Sequence, residues 1–157
     1  FKESGVMAVK LEGAHIETVK KLVASGIPVM GHLGLTPQSM HQLGGYKVQG
    51  RTDGDVIVEA AKALQEAGAF AIVLELVPAE LAARITAELT IPTIGIGAGV
   101  NCDAQVLVWT DLMGITKKAP KLAKAYRNLR AEMLAATTEF ASDVRSGQFP
   151  TEAQTFN

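Results

Sequence analysis

The sequence predicts an α/β protein built around a parallel β-sheet. Short apolar runs rich in β-branched residues alternate with longer stretches of helical periodicity. Such alternation is typical of successive βα units. It fits either an open doubly wound sheet or a barrel, and both architectures place functional residues at the carboxyl ends of the strands.

Five apolar runs are predicted to be the strands. They are Val6–Glu12, Ile27–His32, Phe70–Glu75, Ile91–Gly97 and Gln105–Trp109. Their lengths match those of ordinary strands, and glycine or proline interrupts or borders several of them.

Helical patterns fill most of the intervening chain. The predicted helices are Ala14–Ser25, Asp53–Ala67, Ala79–Leu89 and one or two terminal helices from Pro120 to about Val144. In the first helix we expect a core stripe of Ile16, Val19, Leu22 and Val23. In the second we expect Val56, Ala60, Ala63 and Leu64 to face the core and Asp53 to cap the helix.

Composition excludes several classes of protein. The chain has 157 residues, 48% hydrophobic residues and a net charge of −1, which suits one hydrophobic core but offers no basic surface for nucleic acid. No apolar run approaches the roughly 20 residues of a membrane span. The single cysteine, Cys102, fits a reducing compartment, so we expect a cytoplasmic location.

Ionisable residues stand at the ends of three predicted strands. Alternation along the first strand places Lys10 and Glu12 on one face, His32 ends the second strand, and Glu75 ends the third. A polar residue at a strand end often marks only the approach to water, and Lys10 with Glu12 could be a surface ion pair. Glu75 follows an apolar strand, where partial shielding from water suits a general acid or base. We therefore expect an active site at this end of the sheet.

Two further segments have open interpretations. The run Ile94–Gly99 contains three glycines but lacks the spacing of a dinucleotide-binding loop, so it is either a tight turn or a phosphate site. The segment Gly34–Thr52 carries Tyr46, Lys47 and Arg51. It is either a lid or a surface loop.

Several motifs resemble one enzyme family, and their order along the chain also matches. They are Val9–Gly13, Gly31–Ser39, Gly45–Arg51, Val73–Glu75 with Val77–Pro78, and Ile94–Gly99. The nine-residue run Gly-His-Leu-Gly-Leu-Thr-Pro-Gln-Ser is highly specific. Together these motifs are similar to the ketopantoate hydroxymethyltransferase family over nearly the whole chain.

The resemblance implies a (β/α)8 TIM barrel of which this chain supplies strands 4–8. Residues 1–157 would then be the C-terminal part of a single barrel domain, with the three N-terminal βα units absent from the sequence given. A complete barrel has roughly 250 residues. The resemblance also implies a large homo-oligomer, a decamer.

The family forms ketopantoate in the biosynthesis of pantothenate and coenzyme A. The resemblance implies transfer of a hydroxymethyl group from 5,10-methylenetetrahydrofolate to 3-methyl-2-oxobutanoate through an enolate stabilised by Mg²⁺. By the same resemblance Glu75 is the proton acceptor, Lys10 and His32 bind substrate, and Glu12 is associated with the metal. The two principal aspartate ligands of the metal lie on strands outside this sequence.

Two other functions stay open. One is a related Mg²⁺-dependent carbon–carbon lyase of 2-oxo acids, which would share the barrel and the carboxylates but would not need tetrahydrofolate. The other is an inactive structural fragment, since an open sheet of five strands exposes an edge and a face.

Overall fold

The computed structural model describes residues 3–41 and 45–156, which divide into two units at the bond between Val106 and Leu107. The first unit contains a parallel sheet with helices, and the second is helical. Among the described residues, no helix has both the length and the apolar character that crossing a membrane requires.

The sheet of the first unit has five strands. They are β1 (Val9–Glu12), β2 (Val29–Gly34), β3 (Ala71–Glu75), β4 (Thr93–Ile96) and β5 (Ala104–Gln105). Their order in the sheet is the order in the chain, and every neighbouring pair is parallel. The predicted α/β class with a parallel sheet is confirmed.

Three helices connect the strands. They are α1 (Ile16–Ala24), α2 (Gly54–Glu66) and α3 (Ala79–Glu88), and a short 3₁₀ helix, Pro37–Ser39, follows β2. The stripe predicted for α1 is confirmed, because Val19 is buried and its three companions pack against the core. Part of the loop predicted as a lid or surface loop, residues 42–44, lies outside the described residues.

One face of the sheet forms the core with these helices. Val9 and Leu11 of β1 and Ile72 and Leu74 of β3 point toward it, as strand alternation predicts. Phe70, at which the predicted third strand begins, precedes β3 and is 42% exposed. The opposite face carries Lys10 and the other residues of the candidate site.

The core stripe predicted for α2 is partly wrong. Leu64 is buried as expected, but Val58 and Ala61 accompany it, and Val56 is 67% exposed. Alanine is small enough for a buried or an exposed position. The alanines of α2 therefore did not determine which side of the helix faces the core. Asp53 does precede the helix, but its side chain makes no capping hydrogen bond.

The predicted fifth strand is shorter than expected. It ends at Gln105, and Trp109 begins a short helix, α4 (Trp109–Leu112). Val106 and Val108 are about half exposed, so no burial of apolar side chains favours a longer strand.

The terminal helix of the second unit begins later than predicted. Helix α5 (Leu129–Ser146) starts after Asn128, whose side-chain oxygen accepts a hydrogen bond from the backbone N–H of Ala131 at 3.3 Å. This cap explains the start, because it satisfies one of the free N–H groups of the first turn. Residues 120–128 are not helical.

Candidate active site

Polar side chains from three neighbouring strands meet at the carboxyl end of the sheet. Glu12 ends β1, His32 lies next to it in β2, and Glu75 ends β3. Since Glu75 stands two residues beyond Val73, the register partner of His32, all of these side chains point to the same face. The sequence-based expectation that they converge at one end of the sheet is confirmed.

His32 is the centre of this cluster. Its side chain is only 4% exposed, and its two ring nitrogens face different partners. The Lys10 Nζ atom lies 3.0 Å from Nδ1, and the Glu75 Oε2 atom lies 3.2 Å from Nε2. The imidazole therefore separates the ammonium group from the carboxylate of Glu75.

The contact with Lys10 defines the tautomer of His32. A lysine ammonium group can only donate hydrogen bonds, so Nδ1 must accept and the ring proton must reside on Nε2. That Nε2–H group faces Glu75 but meets no acceptor in hydrogen-bonding geometry within the described chain. In this tautomer the Nε2–H group is buried beside the Glu75 carboxylate.

Glu12 contacts the cluster on the side of the His32 ring that faces Lys10. Its Oε1 atom lies 3.4 Å from the Nζ atom of Lys10 and 3.8 Å from Nδ1 of His32. Its Oε2 atom accepts a hydrogen bond of 3.0 Å from the backbone N–H of Gln38. Sequence reasoning included Gln38 in the motif Gly31–Ser39 but gave it no role at the site. It lies in the 3₁₀ helix, and the Thr-Pro sequence before it is a signal for such a helix start.

The described residues do not form a complete metal site by themselves. In residues 3–41 and 45–156, no group of three or more His, Cys, Asp or Glu could hold a metal ion. Mg²⁺ requires near-octahedral coordination by oxygen, and in this cluster Glu12 already contacts an ammonium group and a backbone N–H. Any Mg²⁺ at this site needs further ligands.

The glycine-rich segment Ile94–Gly99 continues from β4 into a turn at the carboxyl end of the sheet. Ile96 is the register partner of Glu75, and the chain then turns through Gly97 and Gly99. The side-chain amide of Gln105 donates to the carbonyl of Gly99 at 2.9 Å, which ties the turn to β5. This contact accounts for a tight turn, and phosphate binding there stays a prediction.

Comparison with known proteins gives the family. The model of the ketopantoate hydroxymethyltransferase family matches residues 1–152. A protein of Acidothermus cellulolyticus named 3-methyl-2-oxobutanoate hydroxymethyltransferase is 58% identical over 99% of this chain and 59% of its own length. Proteins of the same name from Rippkaea orientalis and Geobacter sulfurreducens are 56% and 54% identical, over 96% and 99% of this chain and 60% of each protein.

The chain thus spans about 60% of the length of the relatives that it matches. The matched residues include the three strands whose side chains form the cluster described above. The chain belongs to the ketopantoate hydroxymethyltransferase family.

Proposed function

We propose that this chain carries the base and part of the substrate site of a 3-methyl-2-oxobutanoate hydroxymethyltransferase. The reaction is transfer of a hydroxymethyl group from 5,10-methylenetetrahydrofolate to 3-methyl-2-oxobutanoate, giving ketopantoate for pantothenate and coenzyme A synthesis. The observation that carries the proposal is the contact of the buried His32 ring with Lys10 on one side and Glu75 on the other.

Glu75 is the proposed proton acceptor. Carbon–carbon bond formation at C3 of the oxo acid requires removal of a weakly acidic proton next to a ketone. The Glu75 side chain is 13% exposed, so a carboxylate there has few competing water molecules. It takes the proton from C3 while the electrons of the C3–H bond form the enolate. Water cleaves both C–N bonds of the folate methylene group and releases tetrahydrofolate and formaldehyde. The enolate carbon then attacks the formaldehyde carbon, the electrons of its C=O π bond move to oxygen, and that oxygen takes back the proton from Glu75 to complete the hydroxymethyl group.

Lys10 and His32 are proposed to bind the oxo acid. The Lys10 side chain is 43% exposed on the open face of the sheet, so its charge can reach a substrate carboxylate or the enolate oxygen. The Nε2–H group of His32 is buried and lacks an acceptor in the described chain, and an oxygen of the substrate that displaces the Glu75 carboxylate from it would satisfy it. These two donors would hold the substrate beside the carboxylate of Glu75.

Mg²⁺ is part of the proposal through the resemblance alone. Its principal aspartate ligands would lie outside this sequence, and Glu12 would reach the ion directly or through water. Because the described residues lack a full ligand set, we assign no step of the reaction to the metal. We expect this chain alone to bind Mg²⁺ weakly.

The barrel is likewise proposed. Sequential order of parallel strands, with helices packed on one face, suits the wall of a (β/α)8 barrel. In a doubly wound sheet the strand order reverses and helices cover both faces. We propose that residues 1–157 supply strands 4–8, and that the complete enzyme is a cytoplasmic homo-oligomer, a decamer, which sedimentation velocity on the intact polypeptide would test.

The test is a product assay with Mg²⁺ and both substrates on the intact polypeptide, by which we mean the complete barrel to which residues 1–157 are proposed to belong. We expect ketopantoate to form only when the folate donor is present, and Glu75→Gln to reduce kcat by about 1,000-fold or more. Glu66→Gln, which changes an exposed carboxylate at the end of α2, is the matched control and should leave kcat unchanged.

Other outcomes would favour the other functions. Cleavage of a 2-oxo acid without any folate requirement would indicate the carbon–carbon lyase. Absence of any reaction in a folded, intact polypeptide would leave only a structural role.

A further inference from the structure

Gly34 makes an unusually close approach to the proposed base. It is the register partner of Glu75 across the β2–β3 pair and has a φ of +88°. A Cβ atom built on Gly34 would lie 2.1 Å from the carbonyl oxygen of Glu75 and 2.7 Å from Cγ1 of Val77. No side chain fits between these strands unless the end of β3 moves.

The backbone around Glu75 is held from three directions. The Glu75 carbonyl accepts a hydrogen bond from the N–H of Leu35 at 2.8 Å. Leu76, the next residue, donates its N–H to the carbonyl of Ile96 at 2.9 Å and accepts from the N–H of Gln49 at 2.9 Å. Strand β4 and two points of the segment Gly34–Thr52, namely Leu35 and Gln49, thus fix one peptide segment.

Leu76 adopts a conformation that leucine rarely takes. Its φ is +47°, and it is the one non-glycine residue with positive φ in the described part of the chain. Such a conformation is unfavourable for a side chain with a Cβ atom and persists only where the surroundings impose it. The three hydrogen bonds at Glu75 and Leu76 impose it here.

We propose that Gly34 is a positioning residue for Glu75, an inference that rests on the proposed function. Its missing side chain lets the Glu75 carbonyl close onto Leu35, and this contact sets where the Glu75 carboxylate stands relative to His32. Real Cβ atoms essentially never come closer than 3.0 Å to another heavy atom, so alanine at 34 would displace the carbonyl by about 1 Å. A misplacement of that size can reduce a rate by about 100-fold.

A purely structural role for Gly34 predicts a different result. Alanine at any glycine with positive φ strains the backbone, whatever lies nearby. Gly26 is the matched control, because its φ is +78° and a Cβ atom there would meet nothing within 4 Å. Gly26→Ala therefore reproduces the backbone strain without the contact to Glu75.

The experiment follows proton exchange at C3 of 3-methyl-2-oxobutanoate in D₂O by ¹H NMR. It uses the intact polypeptide with Mg²⁺ and no folate donor, at a temperature where circular dichroism shows every variant folded. We expect Gly34→Ala to lower the kcat for exchange by about 100-fold, with KM within about threefold of the control Gly26→Ala.

Two results would overturn the inference. One is exchange by Gly34→Ala within about threefold of Gly26→Ala, and the other is a loss that falls on KM while kcat stays unchanged. Glu75→Gln separates this from a failure of the proposed function. If the wild-type protein does not exchange the proton, or if Glu75→Gln exchanges as fast, the proposed function is wrong and the inference falls with it.

A second variant covers the case in which Gly34→Ala does not fold. Leu76→Gly keeps the positive φ without strain but widens the conformations open to the peptide after Glu75. We expect it to lower the kcat for exchange by about tenfold with little change in KM. Exchange at the wild-type rate would contradict the idea that this peptide segment positions Glu75.

Discussion

The two ends of the sheet carry polar clusters of opposite character. At the carboxyl end, the buried ring of His32 has one nitrogen without a hydrogen-bonding partner in the described chain. At the amino end, Thr93 at the start of β4 is fully buried, and its N–H and hydroxyl both bond to one carboxylate oxygen of Asp103, at 2.8 and 3.1 Å. The Thr86 hydroxyl lies 2.8 Å from that of Thr93.

The two clusters differ in whether every buried polar group has a hydrogen-bonding partner. The hydrogen bonds from the backbone N–H and the hydroxyl of Thr93 hold the pKa of Asp103 below its usual value, because they stabilise the carboxylate. A satisfied cluster of this kind adds stability. A buried donor left without an acceptor costs stability, and such a cost is typical of a group that is reserved for a ligand.

The largest effect on activity should come from a change in the cluster around His32. Lys10→Met removes the cation beside His32, and we expect kcat/KM of the intact enzyme to fall by about 100- to 1,000-fold. The free energy of unfolding should fall by about 1 kcal/mol, because the change leaves the buried Nδ1 atom of His32 without its hydrogen-bond donor.

Lys20→Met is the matched control for this change. Lys20 pairs with Glu17 on the exposed side of α1, so its loss should leave kcat/KM unaltered. A loss of less than about tenfold in Lys10→Met would place the substrate charge elsewhere.

A change in the cluster around Thr93 should affect stability and leave activity unchanged. Thr93→Val leaves the shape nearly unchanged but removes the hydroxyl that contacts Asp103 and Thr86, and we expect the free energy of unfolding to fall by about 1–3 kcal/mol. The measurement is urea denaturation, with kcat/KM of the folded enzyme expected to be unchanged. Thr137→Val, an exposed threonine in α5, should change stability by less than about 0.5 kcal/mol.

The smallest effect should be a dependence of stability on pH at Asp103. The folded state lowers the pKa of this carboxyl group below its ordinary value of 3.8, so its contribution is fully present above that pH. It is lost as the pH falls below 3.8 toward the folded-state pKa. Asp103→Asn should therefore lower the thermal midpoint at pH 6, and the difference from wild type should shrink in acid.

The control for the acid dependence is Asp53→Asn. Asp53 precedes α2, but its side chain makes no capping hydrogen bond. Its thermal midpoint is measured against wild type over the same range of pH. Parallel behaviour of the two variants would show that the acid dependence does not come from the bonds between Asp103 and Thr93.

Strand geometry explains which parts of the site the sequence could predict. Lys10 and Glu12 share a face because side chains alternate along a strand, and Glu75 ends its strand because the apolar run ends there. The contact of Gly34 with Glu75 depends on the register between β2 and β3, which a long loop and α2 separate in the chain. Nothing local in the sequence encodes that register.

The errors in the fold have a similar cause. Val106 and Val108 suit a strand by composition, but they lack the neighbours that would bury them. The sequence did not predict the hydrogen bonds between Thr93 and Asp103, since neither residue type is unusual at a strand start. Both depend on packing between elements, which periodicity within one element cannot supply.

Because strand order follows chain order, one continuous stretch, residues 10–75, encodes all four side chains of the candidate site. Exchange of that stretch between two relatives would carry the ammonium group, the imidazole and both carboxylates together with Gly34. Thr93 and Asp103 would remain with the recipient. The side chains of the candidate site and the hydrogen bonds between Thr93 and Asp103 can thus be inherited, or engineered, independently of each other.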